Sequence, residues 1–199
     1  MSHDVKNIML ILSSPSGAGK TTITKKIQQK YQSFKISVSH TTRKPRSNEI
    51  NGIDYNFVSH EEFKRLIDEK QFYEYAKIFD NYYGTLKKTV DDLIKKNDVI
   101  FDIDWQGTKQ LSQFKNLNLV KIYLLPPNKD ELKKRLIKRD SDSLIEVEKR
   151  FKSFDEDVTH WQDYDYVLIN ENLETCYKQI EKIIANHKRE FSNFSQIIQ

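Results

Sequence analysis

Apolar runs alternate with helical patterns along most of the chain. Four of these runs have the length of a strand buried on both faces, at residues 7–12, 98–103 and 119–125 and, more weakly, 164–169. Helical patterns lie between and after them, at residues 21–31, 105–114, 128–139 and 172–190. Because strands and helices alternate, the pattern predicts an α/β fold with a parallel-sheet core flanked by helices on both faces.

Two segments depart from this alternation. Residues 35–87 contain the strand-like pieces KISV, YNFV and FYEYAKIF, and Ser59 and Glu62 form a capping box at the start of a helix. We expect a mixed α+β insertion that is largely antiparallel. Residues 126–157 are almost entirely helical, and we expect them to form a lid that moves. The core then comprises residues 1–34, 88–125 and 158–199.

Composition and charge narrow the class of protein. The 199 residues carry 33 Lys and Arg against 29 Asp and Glu, and a net charge of +4 suits small phosphorylated partners better than nucleic acid. The single Cys176 has no partner for an internal disulfide, and the five histidines are too dispersed for a local metal motif. The N-terminal apolar run is too short for a signal peptide or membrane span. We expect a cytoplasmic enzyme, and its oligomeric state stays open.

The string SSPSGAGKTT, residues 13–22, lies between a predicted buried strand and a helix. In this context Gly17 and Gly19 allow backbone N–H groups to surround phosphate oxygens, Lys20 reaches the β and γ phosphates, and the Thr21 hydroxyl binds Mg²⁺. The string departs from the usual phosphate-loop pattern at Ser14, where glycine is common. The predicted ATP-binding residues here are Ser14, Pro15, Ser16, Gly17, Ala18, Gly19, Lys20, Thr21 and Thr22.

Acidic residues follow a second buried strand, in the string VIFDIDWQG. Asp102 and Asp104 fall at its carboxyl end, where ligands bind in open α/β sheets. We expect Asp102 to hold Mg²⁺ together with Thr21, partly through water. The alternative is that both carboxylates are ordinary exposed loop residues.

Three further strings carry a resemblance to a known family. SVSHTTRKPRSNEINGIDYNFV, EYAKIFDNYYGT and FDIDWQG resemble the guanylate kinases, and the resemblance extends from the phosphate loop to the last helix, over about residues 6–187. It implies a phosphate-loop core, a GMP-binding domain at residues 35–87 and a lid at residues 126–157. It also implies Mg²⁺-dependent transfer of the ATP γ-phosphate to GMP and dGMP, giving ADP and the nucleoside diphosphate in purine nucleotide metabolism and GMP recycling.

The resemblance also implies the residues that bind GMP. It assigns the phosphate to Arg43, Arg46, Tyr55 and Tyr83, and it assigns the guanine base to Ser39, Glu74, Thr85 and Asp104. Arginine forks and phenolic hydroxyls suit a dianionic phosphate, and carboxylates suit the N–H donors of guanine.

Several of these assignments have an alternative. The tyrosines are also typical of the core of a small sheet, and Arg43 and Arg46 of a solvated basic loop. Strand alternation could place Glu74 on the solvent face.

The lid segment contributes further positive charge. By the resemblance, Arg139 and Arg150 close over the transferring phosphoryl group, and Arg43 and Lys20 complete the predicted catalytic set. Arg135 is predicted to assist at the ATP site and Asn170 to line the adenine pocket.

Several alternatives stay open around these assignments. Arg135 could belong to a solvated helix face, and Asp140 stands where the family commonly has glycine, which leaves the lid hinge undefined. The competing functions are a non-catalytic guanylate-kinase-like module that binds protein ligands and a kinase for another nucleotide.

Overall fold

The computed structural model describes residues 7–138 and 144–197. Its strands are β1 (Met9–Ser13), β2 (Phe34–Ile36), β3 (His40–Thr41), β4 (Asn56–Phe57), β5 (Phe72–Ile78), β6 (Asn81–Leu86), β7 (Asp98–Asp102), β8 (Leu119–Leu125) and β9 (Tyr166–Ile169). Its α-helices are α1 (Lys20–Lys30), α2 (His60–Asp68), α3 (Lys87–Ile94), α4 (Trp105–Leu111), α5 (Lys129–Ile137), α6 (Leu144–Asp157) and α7 (Leu173–Ile197), and a 3₁₀ helix spans Val158–Asp163.

Five parallel strands form the core sheet in the order β2-β7-β1-β8-β9. All five residues of β1 are buried, and the four apolar ones alternate between two hydrophobic clusters because successive side chains of a strand point to opposite faces. Leu10 and Leu12 share one cluster with residues of α1 and α7, whereas Met9 and Ile11 share the other with residues of α3 and α4. The predicted α/β fold, with helices covering both faces, is confirmed.

The second sheet has four strands in the order β4-β3-β6-β5. β6 pairs antiparallel with β3 and β5, and β3 pairs parallel with β4, as expected of a mixed insertion. Helix α2 covers this sheet through the buried Phe63, whose ring stacks on Phe72 at 4.6 Å. Its predicted cap is present, since Ser59 Oγ accepts a hydrogen bond from the Glu62 N–H at 3.0 Å.

One strand lies in a different sheet from the one expected. The piece KISV was assigned to the insertion, but β2 pairs in parallel with β7 at the edge of the core sheet. The reason is burial, because Phe34 is fully buried and Ile36 packs against the same core cluster. The division of the chain into core, GMP-binding domain and lid stays a prediction.

The two helices of the predicted lid have a small core of their own. Leu132 and Leu136 of α5 pack with Val147 and Phe154 of α6 in a cluster separate from those of the sheet. The predicted cap of α5 is present, since Asn128 Oδ1 accepts a hydrogen bond from the Glu131 N–H at 2.8 Å. Arg139 and Asp140 lie outside the described residues.

Candidate active site

The phosphate loop connects the carboxyl end of β1 to the N-terminus of α1. Gly17 and Gly19 have φ values of +90° and +97°, in the left-handed region that favours glycine. A Cβ on Gly19 would lie 2.4 Å from Asn170 Nδ2, so glycine is also required there by space. The two glycines thereby let the loop turn tightly into the N-terminus of α1, the kind of helix end that suits phosphate.

Lys20 and Asp102 form an ion pair across the base of the cleft. Lys20 Nζ lies 2.8 Å from Asp102 Oδ1 and donates a hydrogen bond to the Ile103 carbonyl at 2.9 Å. Thr21 Oγ1 lies 3.3 Å from Asp102 Oδ2. A hydroxyl and a carboxylate, both lining the cleft beside the phosphate loop, form the small oxygen donor set with which proteins hold Mg²⁺ on a bound nucleotide.

Asn170 supports the phosphate loop from behind. Its Nδ2 donates a hydrogen bond to the Ala18 carbonyl at 2.7 Å, and its own carbonyl accepts one from Arg135 at 3.0 Å. Asn170 is 3% exposed and Ala18 is fully buried, and neither lines the cleft. The structure therefore places Asn170 as a brace for the loop, and its predicted place in an adenine pocket stays a prediction.

Two arginines of the insertion face the phosphate loop across the cleft. Arg43 donates to Glu49 Oε1 at 2.7 Å, and Arg46 Nη1 lies 3.5 Å from the same oxygen. Burial acts to raise the pKa of Glu49, but hydrogen bonds from Arg43 and the Arg46 backbone outweigh it and lower that pKa. The Tyr55 ring lies 5.3 Å from the Arg43 guanidinium and 5.9 Å from the Tyr83 ring. Guanidinium and phenol groups thus converge on one region, which suits a phosphate dianion.

Glu74 lies at the floor of the same cleft with its side chain directed inward. It is 3% exposed, and its Oε1 has no hydrogen-bond partner among the described residues. A Cβ on Gly107 would lie 2.4 Å from Glu74 Oε2, so Gly107 makes the space that this carboxylate occupies. Burial, chiefly, raises the pKa of Glu74 to about 7. A buried carboxyl oxygen without a partner indicates a place for a ligand that donates hydrogen bonds.

The other three predicted guanine residues surround Glu74. Thr85 pairs with Glu74 across β5 and β6, and its hydroxyl lies 3.4 Å from Ser39 Oγ. Asp104 caps α4 by accepting a hydrogen bond from the Gly107 N–H at 3.0 Å. Burial raises the pKa of Asp104. Two carboxylates and two hydroxyls therefore lie around one polar pocket, in which hydrogen-bond donors and acceptors can both be matched.

Most of the predicted site residues line a single cleft of about 1280 Å³. They are Ser14, Pro15, Ser16, Gly17, Gly19, Lys20, Thr21, Thr22, Ser39, Arg43, Arg46, Tyr55, Glu74, Tyr83, Asp102, Asp104, Arg135 and Arg150. Thr85 lies behind this surface, fully buried beside Glu74. Arg139 lies outside the described residues.

Helix α6 contacts both sides of the cleft. Arg150 Nη1 donates to Ser16 Oγ of the phosphate loop at 2.6 Å, and Lys149 lies 3.4 Å from Asp80 in the turn between β5 and β6. The predicted lid therefore lies over the cleft between the phosphate loop and the insertion.

The sequence analysis does not single out Glu49 and Asp157, two of the carboxylates at the site. Glu49 joins Arg43 and Arg46, and its signal was its position inside the string that already held both arginines. Asp157, at the end of α6, also lines the cleft, and burial, chiefly, raises its pKa to about 6. No local pattern distinguishes Asp157 from the other acids of a charged helix.

Comparison with known proteins gives one consistent family. A sequence model described as guanylate kinase matches residues 6–187. The chain belongs to the guanylate kinase family. A guanylate kinase of Clostridioides difficile is 42% identical over 194 residues, covering 97% of this chain and 94% of that protein. A guanylate kinase of Paramagnetospirillum magneticum is 42% identical over 181 residues, covering 90% and 85%.

Solved structures agree with the family assignment. The crystal structure of guanylate kinase from Anaplasma phagocytophilum matches with a TM-score of 0.76 and 33% identity, covering 92% of this chain and 86% of that one. The SH3-kinase fragment of tight junction protein 3 matches with a TM-score of 0.50 at 11% identity, which shows a shared fold alone. Among the residues that the structure describes, no helix has the length and apolar character needed to cross a membrane.

Proposed function

We propose that the chain transfers the γ-phosphate of ATP to GMP, giving ADP and GDP. The observation that carries the proposal is the buried carboxylate of Glu74, which lies in the same cleft as an intact phosphate loop and whose Oε1 has no hydrogen-bond partner in the described part of the chain. Guanine presents N1–H and N2–H₂ donors to such a carboxylate. Adenine has no N1–H, so it would leave the buried oxygen unpaired.

The two phosphate sites lie on facing walls of the cleft. The phosphate loop and Lys20 bind the triphosphate, while Arg43, Arg46, Tyr55 and Tyr83 bind the monophosphate of the acceptor. The attacking oxygen is already anionic near neutral pH, so the step needs no general base. The residues act instead by holding two anionic groups in line and by offsetting their repulsion.

Arginines of the lid add positive charge around the transferring phosphoryl group. Arg150 already reaches the phosphate loop through Ser16, and Arg135 is fixed by Glu131 and the Asn170 carbonyl. We assign Arg139 the same role as Arg150 on the basis of the family resemblance. Closing the lid would exclude water, which strengthens these charge interactions in the reacting complex.

Thr21 and Asp102 are the residues that would hold Mg²⁺. Bound there, Mg²⁺ would neutralise charge on the ATP phosphates. Asp102 pairs with Lys20 in the structure, so the ammonium has to leave this carboxylate to reach the phosphates. The use of dGMP as a second acceptor and a cytoplasmic location belong to the same proposal.

A coupled spectrophotometric assay tests the function directly. ADP formation from ATP should require GMP, while AMP, UMP and dTMP should give rates lower by about two orders of magnitude or more, because none of them presents the adjacent N1–H and N2–H₂ donors of guanine to Glu74. A protein that formed ADP with none of these acceptors would be a binding module, and one that preferred another acceptor would be a different nucleotide kinase. Either result would overturn the proposal.

A further inference from the structure

Three hydroxyl side chains form a buried cluster beneath the phosphate loop, which we call the hydroxyl cluster: Ser13, Thr108 and Tyr164. Tyr164 OH donates to Thr108 Oγ1 at 3.0 Å, and Thr108 Oγ1 lies 3.0 Å from Ser13 Oγ. Ser13 Oγ donates to the Ile103 carbonyl at 2.8 Å. None of the three was assigned a role above, and they come from β1, α4 and the residue that follows the 3₁₀ helix.

The cluster ends on the carbonyl that also holds Lys20. Ile103 O accepts from Ser13 Oγ at 2.8 Å and from Lys20 Nζ at 2.9 Å, so one oxygen joins the hydroxyl cluster to the phosphate-binding ammonium. A carbonyl has two lone pairs and can accept both bonds. Ser13 therefore fixes the direction in which this carbonyl points, and that direction fixes where Lys20 rests before a nucleotide binds.

The Thr108 hydroxyl is held by contacts on three sides. Tyr164 OH donates to Thr108 Oγ1, and the Thr108 hydroxyl donates to the Asp104 carbonyl at 2.9 Å while lying 3.0 Å from Ser13 Oγ. The Asp104 carbonyl has two lone pairs, so it can accept from both the Thr108 hydroxyl and the Thr108 backbone N–H. Thr108 and Tyr164 therefore support the position from which Ser13 donates to the Ile103 carbonyl.

Resting on the proposed function, we infer that Ser13, Thr108 and Tyr164 are positioning residues that orient Lys20 for the ATP phosphates through the Ile103 carbonyl. Asp104 serves as an internal comparison for Ser13. Its carboxylate is held by the Gly107 N–H and by Gln106 Nε2, and neither bond involves Ser13, whereas Thr108 also bonds to the Asp104 main-chain carbonyl. Loss of the Ser13 hydroxyl should consequently affect the ATP side of the cleft and leave guanine binding intact.

The test uses Ser13→Ala, Thr108→Val and Tyr164→Phe in the full chain. Ser13→Ala should lower kcat and weaken binding of a non-hydrolysable ATP analogue by about three- to tenfold, the range expected for loss of one buried hydrogen bond. Thr108→Val and Tyr164→Phe, which act one and two bonds further away, should change both quantities in the same direction by smaller factors. The GMP affinity of Ser13→Ala, measured by calorimetry without ATP, should stay within twofold of wild type, about the error of such a comparison.

Two variants separate positioning from general stability. Thr108→Ser keeps the hydroxyl, so its kcat and its affinity for the ATP analogue should equal those of the wild type. Tyr166→Phe removes another part-buried phenol only two residues from Tyr164, one that contacts His187 instead, and it should leave kcat unchanged. All assays are run at a temperature at which circular dichroism shows the variant to be folded. If Thr108→Val or Tyr164→Phe does not fold, Ser13→Ala alone decides the test.

Wild-type kcat and ATP affinity in Ser13→Ala would overturn the inference, as would a parallel loss of GMP affinity. Failure of the proposed function would look different, because the wild-type chain itself would then not turn over GMP. In that case the affinities for the ATP analogue still decide the inference about the hydroxyl cluster.

Discussion

Replacing Glu74 with glutamine should stabilise the ligand-free protein at neutral pH and weaken its binding of GMP. Glu74 is buried, its Oε1 has no hydrogen-bond partner among residues 7–138 and 144–197, and burial outweighs a hydrogen bond with Thr85 and raises the Glu74 pKa from 4.5 to about 7. Such a rise corresponds to about 3 kcal/mol between the two protonation states, since one pKa unit is worth about 1.4 kcal/mol. The folded protein bears this cost whenever the carboxyl is ionised and no ligand donates to it.

The sign of the pH dependence follows from proton binding. Between pH 4.5 and about 7 the folded protein holds a proton on Glu74 that the unfolded chain has already lost, so wild-type stability falls as pH rises through this window. Glutamine does not titrate. The free energy of unfolding of Glu74→Gln, minus that of wild type, should therefore increase by about 2 to 3 kcal/mol between pH 5 and pH 8.

Urea unfolding at pH 5, 6, 7 and 8 without nucleotide measures this difference. Glu61→Gln, which removes an exposed carboxylate from the same insertion, is the matched control and should give a difference that changes little with pH. In parallel, calorimetry at pH 8 should show GMP binding to Glu74→Gln weakened by about ten- to a hundredfold, because a charged acceptor is lost. A stability difference that stays constant from pH 5 to pH 8 would refute the reasoning.

The remaining predictions concern the phosphate side of the cleft. Lys20→Ala should abolish turnover in a protein that circular dichroism shows to be folded, and near-normal activity would contradict the kinase function. Asp102→Asn should strongly reduce turnover, and EDTA should abolish wild-type turnover; an EDTA-insensitive reaction would exclude the proposed Mg²⁺ requirement. Arg139→Ala and Arg150→Ala should each lower kcat by about two orders of magnitude or more, about 3 kcal/mol, with far less effect on GMP affinity without ATP. A matching collapse of GMP affinity would instead place these arginines in the resting acceptor site.

Local patterns predicted the core of this fold well because its strands are short, apolar and bounded by recognisable turns. The strand predicted at residues 119–125 has the bounds of β8, and both predicted helix caps, at Ser59 and Asn128, are present. The position of β2 was not predictable in this way. Its pattern of side chains fits the edge of either sheet, and its pairing with β7 depends on residues about 64 positions away in the chain.

The buried position of Glu74 could not be predicted from the local sequence pattern. Strand alternation allowed a solvent-facing position for this carboxylate, and only the family resemblance favoured an inward one. In the structure the buried positions of β5 are Phe72, Glu74 and Ala76, so the carboxylate lies on the buried face of the strand. Asp157 and Glu49 were missed because their importance arises from groups brought together by the fold.

The separate core of α5 and α6 has a consequence for how the protein fluctuates. Because Leu132, Leu136, Val147 and Phe154 form a cluster of their own, which lies against the phosphate loop at Gly17, this helical pair can loosen without exposing the central strands, whereas β1 cannot be exposed without opening both layers of the sheet core. Amide hydrogens of α6 should therefore exchange with deuterated solvent by local opening, and those of β1 only by global unfolding. The enzyme would hold its phosphate loop on the slowest-exchanging strand and cover it with one of the faster-exchanging parts of the chain.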